Sequence, residues 1–442
     1  MKVVAPRGER NERGGLEVVR SDAPGPSFPF TADPMVPVEP TRPGWRWHRL
    51  LTLARLATGH TPSRRCPEYW NGDIPWLQLP DIRALDGQRA LDTLEHTNEL
   101  GIKNSAAVLL PEGTVCLSRT ASVGFVTVMG RPMATSQDFV NWVCGPDLSP
   151  EFLKWLFIAC RKPIRDLGSG AVHHTIYFPT VEQFAVCVPP LAEQERIAGR
   201  LTEQLGAVER ARAAAAQRLA AAESLPAALL REVFDGPQAS GWETRTLGEL
   251  LNRYNEIIHP GDRKSGEAVF VGLEHIEPHT GRRIGAGKVE FASMTGRKPT
   301  FKRGHIVYGY LRPYLNKVWV ADFDGCSSVD QFAFDVNPEL ADTTFVAAFM
   351  RSAIFLRRAQ GVTTTGQLPR ISIDEIAAVK IDLPRDLSTQ RRLAADLGEK
   401  LAAAEGVIAR CREELAAIEA LPASLLRDAF GGGREAESPE GA

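Results

Sequence analysis

Two long stretches of this chain repeat the same pattern of apolar and polar positions. Residues 194–236 align without a gap on residues 390–432, at an offset of 196 positions. Apolar side chains recur in both copies at steps of three and four, which is the spacing of one continuous helical stripe. The members of the stripe are Ile197, Leu201, Leu205 and Leu219 in the first copy and Leu393, Leu397, Leu401 and Leu415 in the second. The pattern predicts two duplicated long helices that meet along this seam.

Each copy ends in a similar phrase that contains a proline, SLPAALLREVF at 224–234 and ALPASLLRDAF at 420–430. Because proline lacks the amide hydrogen and clashes with the preceding turn, the phrase predicts a kink or an end of the helix. A first helix over residues 191–225 would be roughly 50 Å long. Each apolar stripe needs cover, and an antiparallel pair of helices in a pseudo-twofold arrangement provides it.

The regions outside the helices contain short runs typical of strands, such as TVCLSR, GFVTV, HIVYGYL and KVWVAD, and single helices predicted over residues 150–161 and 342–358. This mixture indicates two α/β (α+β) modules. The extension before residue 44 is rich in proline, glycine and charge, so we predict disorder there, and Met35 is an alternative start to Met1. The predicted organisation is a disordered extension (1–43), a first module (44–190), a central spacer helix (191–236), a second module (241–384), a distal spacer helix (385–431) and a disordered tail (432–442).

Composition narrows the class of protein only slightly. The formal net charge is −2, so a nucleic-acid-binding face would have to be built locally. The seven cysteines form no CxxC pair and have no histidine at ligand spacing, which indicates neither a zinc site nor a disulfide framework. The sequence contains no apolar run long enough for a membrane span and no signal-peptide core, so a cytoplasmic location is expected.

Three phrases in order along the chain carry a resemblance to a known family. They are PPLAEQ at 189–194, where the first long helix opens, YGYLRPYLNK at 308–317, and DGCSS at 324–328. Together with the duplicated helices, they make the chain similar to the specificity subunit of type I restriction-modification enzymes. The resemblance implies two target-recognition domains, each reading one half-site of a bipartite, asymmetric target in double-stranded DNA.

The resemblance also implies partners and cofactors. Two modification (methyltransferase) subunits would dock on the helical spacer, bind S-adenosylmethionine and methylate adenine. Restriction (motor-nuclease) subunits would add ATP and Mg²⁺, and a bacterial or archaeal cytoplasm would be the setting. The chain itself shows no loop for S-adenosylmethionine, no base-gripping motif and no complete phosphate-binding loop, so we expect no catalytic residue, no metal and no cofactor of its own. Two alternatives remain, a divergent stand-alone DNA methyltransferase or nuclease, and a helical scaffold that binds only proteins.

Function is therefore expected to come from binding DNA through loops. Arginine and lysine pair with guanine edges, glutamine with adenine, and hydroxyl groups with phosphates or either groove. The candidates in the first module are Arg64, Arg65, Gln78, Ser118, Arg119, Thr120, Ser122, Gln137, His173 and His174. The candidates in the second module are Arg282, Arg283, Tyr308, Tyr310, Arg312, Tyr314, Lys317, Gln331, Thr364, Thr365, Gln367 and Arg370.

Overall fold

The structure is a computed structural model that describes residues 28–169, 174–360 and 369–431. It divides into two compact units. Unit 1 contains the chain up to Ala213 and again from Ala416, and unit 2 contains Ala214–Leu415. Each unit therefore combines one mixed module with segments of both long helices. The tail predicted to be disordered, 432–442, lies outside the described residues.

Unit 1 is built around a five-stranded sheet of order β3-β10-β7-β8-β5, with smaller sheets β1-β11-β2 and β6-β4-β9 beside it. Helix α4 packs on the central strands and begins at Pro150, after the Ser149 hydroxyl accepts a hydrogen bond from the Phe152 amide. The elements of this part of the chain are β1 (Phe30–Thr31), β2 (Arg46–Arg49), α1 (Leu50–Leu53), β3 (Ala54–Thr58), β4 (Trp70–Leu77), α2 (Leu79–Ala84), β5 (Arg89–Ala90), β6 (His96–Thr97), α3 (Glu99–Lys103), β7 (Val115–Ser118), β8 (Val126–Met129), β9 (Ala134–Thr135), β10 (Phe139–Cys144), α4 (Pro150–Ala159), α5 (Arg161–Asp166), α6 (Phe178–Val181), β11 (Ala185–Val188) and the long helix α7 (Leu191–Asp235).

Unit 2 repeats this plan with a four-stranded sheet of order β13-β21-β18-β19 and a five-stranded sheet of order β14-β17-β20-β15-β16. Helix α9 corresponds to α4, and the Asp342 carboxylate caps its first amides. The elements are β12 (Glu243–Thr246), α8 (Leu247–Leu250), β13 (Leu251–Tyr254), β14 (Ile257–Ile258), β15 (Glu267–Val271), β16 (Gly287–Glu290), β17 (Lys298–Phe301), β18 (Ile306–Gly309), β19 (Val318–Val320), β20 (Gly325–Ser327), β21 (Gln331–Val336), α9 (Thr343–Arg351), α10 (Ala353–Gln360), α11 (Ile373–Ala378), β22 (Lys380–Leu383) and the long helix α12 (Leu387–Phe430).

The predicted fold class, α+β modules with two long helices, is confirmed. The single helices predicted over 150–161 and 342–358 were wrong in detail, because each is two helices. The first break falls at Cys160 and the second at Ser352, where the backbone leaves the helical region. Among the described residues, no helix is both long enough and apolar enough to cross a membrane.

The long helices do not end at their prolines, so of the two outcomes predicted there, a kink or an end, the end was wrong. Helix α7 runs for 45 residues with Pro226 inside it, and α12 runs for 44 residues with Pro422 inside it. At about 1.5 Å per residue each is nearly 70 Å long, rather than the predicted 50 Å. A proline inside a helix costs about 3 kcal/mol. The turns beyond the proline are held by burial, because each helix ends in a buried phenylalanine, Phe234 or Phe430.

The last turns of a long helix complete each core. The end of α12 lies in the core of unit 1, and the end of α7 lies in that of unit 2. In unit 1, Phe430 packs on Phe152 of α4 with ring centroids 5.4 Å apart. In unit 2, Phe234 packs on Phe345 and Phe349 of α9 at 5.1 and 5.5 Å. The described residues of the predicted seam contribute to the same two cores. Ile197, Leu201 and Leu205 lie in the core of unit 1, Leu393, Leu397 and Leu401 lie in that of unit 2, and Leu219 and Leu415 are half-buried.

The order of the helices within each unit is antiparallel. In unit 1, the start of α7 at Ile197 shares a core with the end of α12 at Phe430. In unit 2, Arg218 of α7 is paired with Glu414 of α12, and Glu223 with Arg412. The residue numbers of the paired positions rise along α7 while they fall along α12, so the two helices run antiparallel, as the apolar stripes predicted.

Residues 28–43 of the N-terminal extension are ordered, so the predicted boundary at residue 44 was wrong, while residues 1–27 lie outside the described residues. Residues 28–43 cross unit 1, and β1 pairs antiparallel with β11. Phe30 is only 4% exposed and packs edge-on against Phe184 and Phe157. Arg42 donates to the Gly431 carbonyl at the end of α12. Pattern analysis missed this segment because a two-residue strand leaves no periodicity.

We expect Phe30→Ala to lower the free energy of unfolding by about 3–5 kcal/mol, as deletion of a buried aromatic ring does. The measurement is a thermal or urea melt of the full chain. Met35→Ala is the matched control, since Met35 lies in the same segment but is 54% exposed, and it should leave the melt unchanged. Equal stability of Phe30→Ala and the parent would contradict a structural role of this segment.

Candidate nucleic-acid interface

Each unit presents two neighbouring loops at the same edge of its main sheet. The chain turns sharply after β7 at Ala121 and after β18 at Arg312, where φ is +56° and +54°. The Ala121 amide donates to the carbonyl of His174, and the Arg312 amide donates to the carbonyl of Pro369. The structure thus brings the SRTAS loop beside residues 174–175 and the YGYLRPY loop beside residues 369–370. A loop pair of this kind is a suitable surface for a duplex groove.

Two hydroxyl groups predicted to contact DNA are buried in the first loop. Ser118 is fully buried, and its hydroxyl donates to the Ser122 carbonyl and accepts from the Phe125 amide. Ser122 is 7% exposed and holds the guanidinium of Arg83. The prediction of direct contact was wrong for both, because these groups fold the loop and do not face solvent.

Arg119 connects the two loops of unit 1 to each other and to residue 137. Its guanidinium donates to the carbonyls of Gln137 and Ile176 and lies over the Phe178 ring at 4.9 Å. Burial lowers the pKa of Arg119 from its ordinary value. Its Nε atom is buried and has no hydrogen-bond partner among the described residues, so this part of the side chain is packed away from solvent. Thr120 pairs with Thr175 across the two loops.

Arg64 and Gln78 share one acidic partner. The two terminal nitrogens of the Arg64 guanidinium donate to Glu95, at 2.9 and 2.5 Å, while its central carbon lies 3.9 Å from the centroid of the Trp70 ring. The Gln78 amide also donates to Glu95, and the hydrogen bond from Arg64 is the main cause that lowers the pKa of this carboxylate. These side chains form a closed set, so neither is free to read a base without breaking it.

The exposed candidates in unit 1 are fewer. Arg65 is exposed, and its side chain has no hydrogen-bond partner among the described residues. Gln137 is exposed and accepts from the Thr61 hydroxyl at 2.6 Å. The ring of His174 is exposed and hydrogen-bonds the Arg165 carbonyl. His173 lies outside the described residues.

In unit 2 two candidates are core residues. The Tyr308 ring is fully buried against Phe355, and burial raises the pKa of its hydroxyl. Gln331 is 3% exposed and accepts from the Ser328 amide. The prediction of direct contact was wrong for both. Lys317 is half-buried and donates to the Leu273 carbonyl. Tyr308 was misassigned because the strand pattern did not reveal that both faces of β18 are covered.

The two arginines at 282–283 are held by carboxylates. Arg282 pairs with Glu277 at 2.6 Å and with Glu405 at 3.3 Å. Arg283 lies over the Phe323 ring and 3.7 Å from Asp322. The Arg282–Glu405 pair connects the β-region of unit 2 to helix α12. A DNA phosphate would have to displace these carboxylates to bind either arginine.

A cationic and aromatic surface surrounds Tyr310, and we call it the Tyr310 patch. The Tyr310 ring stacks on Phe332 with centroids 4.3 Å apart, and the Arg253 guanidinium lies 5.3 Å from the Phe332 ring. Burial and the negative charge of Asp330 raise the pKa of Tyr310, and the positive charges of Arg370, Arg297 and Arg253 act against that shift. The Tyr310 hydroxyl itself donates to the Val329 carbonyl at 2.8 Å.

The Tyr310 patch continues to the tip of the second loop. Arg312 and Tyr314 are exposed there, Tyr314 at 49%. The side chains of Arg253, Arg297 and Arg312 form no hydrogen bond or ion pair within the described part of the chain. Exposed arginines without carboxylate partners are suited to phosphate oxygens, and the flat aromatic pair beside them offers a surface for sugar or base.

Arg253 is a site residue that the sequence did not reveal. It is a single arginine in the strand LNRY, 57 positions before Tyr310, and only the pairing of β13 with β21 brings it to Phe332. The candidates Thr364, Thr365 and Gln367 lie outside the described residues, and Arg370 is the first candidate after them.

The sequence comparisons agree with this arrangement. Residues 44–214 match the type I restriction modification DNA specificity domain. The EcoDI specificity subunit of Escherichia coli, a type I restriction enzyme subunit, is 24% identical over 419 residues, which cover 88% of each chain. The MjaIX specificity subunit of Methanocaldococcus jannaschii is 26% identical over 156 residues, and the match spans 35% of this chain and 36% of that relative.

Solved structures share the fold. A chain from a study of complex assembly and conformational transition in the type I R-M system has a TM-score of 0.65 at 20% identity, covering 90% of this chain and 100% of its own. The HsdS subunit of Thermoanaerobacter tengcongensis has a TM-score of 0.56 at 19% identity, covering 88% and 97%.

We expect Arg253→Gln to weaken binding to duplex DNA and to reduce the slope of log affinity against log salt by about 1, as loss of one phosphate contact does. The measurement is a DNA titration at several salt concentrations, with a melting curve of each variant. Lys288→Gln removes the same charge from unit 2 at a site paired with Glu267, and it should leave the slope unchanged. An unchanged slope for Arg253→Gln would remove the Tyr310 patch from the interface.

Proposed function

We propose that the chain is a specificity subunit of a type I restriction-modification enzyme, like the relatives and the domain that it matches, and that each of its units reads one half-site of a bipartite, asymmetric DNA target. The observation that carries this proposal is the repeated loop geometry. Both units place a left-handed residue, Ala121 or Arg312, at the same point of the same loop pair. The frame is repeated while the side chains on it differ.

The difference between the loops argues for two different half-sites. The first loop is folded by the hydroxyls of Ser118 and Ser122, while the second carries the exposed Arg312 and Tyr314. Two equal frames with unequal surfaces fit an asymmetric target, since each surface offers its own donors and acceptors to a groove.

The chain, in this proposal, contributes position and sequence recognition but no chemistry. Two modification subunits would bring S-adenosylmethionine and methylate adenine, and restriction subunits would bring ATP and Mg²⁺, in a bacterial or archaeal cytoplasm. A stand-alone methyltransferase or nuclease would need a cofactor loop or a catalytic cluster, and the sequence offers neither motif.

A groove in unit 1 supports docking of a partner on the helices. It lies between α4 and the start of α7, and Trp155, Ile158 and Leu205 supply apolar walls. Glu195 and Glu203 line it without an ion-pair partner among the described residues. An apolar groove edged by carboxylates suits a basic, amphipathic surface of a modification subunit.

A domain exchange tests the proposal. Residues 28–188 would be replaced by the equivalent block of another family member, starting at 28 because β1 pairs with β11. We expect the exchange to change one half of the recognised sequence and to leave the other half and the gap alone. Selection of bound duplexes from a random library, with the modification subunits present, measures this.

The control is the reciprocal exchange of residues 241–384, which should change only the opposite half. A change of both halves by either exchange would mean that the units are not independent readers, and the proposal would fail.

A further inference from the structure

The first turn of each long helix carries a buried glutamine that is fully engaged with its own module. Gln194 is 1% exposed and Gln390 is not exposed at all. They occupy the fourth position of α7 and of α12 and are equivalent in the repeat. A buried amide in the same place twice, with its hydrogen bonds satisfied, needs a reason beyond helix propensity, since an apolar side chain would fill the space.

In unit 1 the glutamine joins two segments through three hydrogen bonds. The Gln194 Oε1 atom accepts a hydrogen bond from the amide of Ser149, the residue that caps α4, at 2.9 Å. Its Nε2 atom donates to the carbonyl of Asp147 at 3.0 Å and to that of Pro189, just before α7, at 2.9 Å. The side chain therefore connects the loop that leads into α4 with the beginning of α7.

Unit 2 repeats the same three bonds. The Gln390 Oε1 atom accepts from the amide of Asp342, which caps α9, at 2.8 Å. Its Nε2 atom donates to the carbonyl of Leu340 at 3.3 Å and to that of Pro384 at 2.7 Å. All partners are backbone atoms, so the bonds fix the chain path independently of the neighbouring side chains.

We propose that Gln194 and Gln390 are positioning residues that fix the direction in which each long helix leaves its module and so restrict the gap between half-sites. This inference rests on the proposed function. Each added base pair moves a half-site by about 3.4 Å and rotates it by about 35°. A module fixed rigidly to its helix cannot follow that displacement, so a target with an altered gap binds poorly. A module that can rotate on its helix can follow it, so the same target still binds.

The test uses Gln194→Met and Gln390→Met in the complete complex with the modification subunits. Methionine keeps the length of the side chain but leaves the carbonyls and the capping amide unpaired. The probes are duplexes that carry the parent's two half-sites with the parent gap and with one or two base pairs added or removed. The measured quantity is the relative rate of methylation of each duplex.

We expect the parent to lose at least roughly tenfold per base pair of gap change, a loss comparable to a mismatched base pair, and the variants to lose less than about threefold. The base preference within each half-site should stay as in the parent. An unchanged gap profile, or an equal loss of rate on all duplexes, would overturn the inference.

A core variant separates positioning from stability. Val186→Ala removes methyl groups from a fully buried position of β11 and should lower the melting temperature without changing the gap profile. If it broadens the profile as much as Gln194→Met does, the effect is general loosening and the inference fails. If the parent complex itself selects no pair of half-sites, the proposed function fails instead.

Discussion

The fold depends on one packing constraint, which is that neither module has a complete core without the end of the long helix that starts in the other. Phe430 closes the core of unit 1 against Phe152, and Phe234 closes that of unit 2 against Phe345. Burial of these rings holds the last turns of both helices beyond Pro226 and Pro422, although a proline there removes a backbone hydrogen bond. Each long helix therefore contributes its first turns to one core and its last turns to the other.

Within each unit, hydrogen bonds hold the start of the long helix in place, and in unit 1 they also hold the loops at the sheet edge. Arg119 is hydrogen-bonded to the loops of unit 1, and the glutamines in the first turns of the long helices are hydrogen-bonded to the backbone of their modules. The surfaces that remain exposed then differ, with the Tyr310 patch on one unit and Arg65 and Gln137 on the other. Two units with different exposed surfaces fit the proposed recognition of an interrupted, asymmetric sequence.

Much of this architecture could be predicted from the sequence because the duplicated stripe, from Ile197 to Leu415, has a long and regular period. The prediction was weaker where the signal was a single residue. Phe30 acts through a strand of two residues, Arg253 is near Tyr310 only through strand pairing, and Ser118 and Tyr308 lie on strands that are covered on both faces. A residue type that suits DNA predicts a contact only after burial is known, and burial is a property of the tertiary fold.

The most direct test of the account is sequencing of the modified bases in DNA from cells with this gene and from cells in which it has been deleted. The account predicts methylated adenines in two different short half-sites, separated by a constant number of unspecified base pairs, and their disappearance after the deletion. A continuous motif that depends on the gene would contradict the reading of one half-site by each unit.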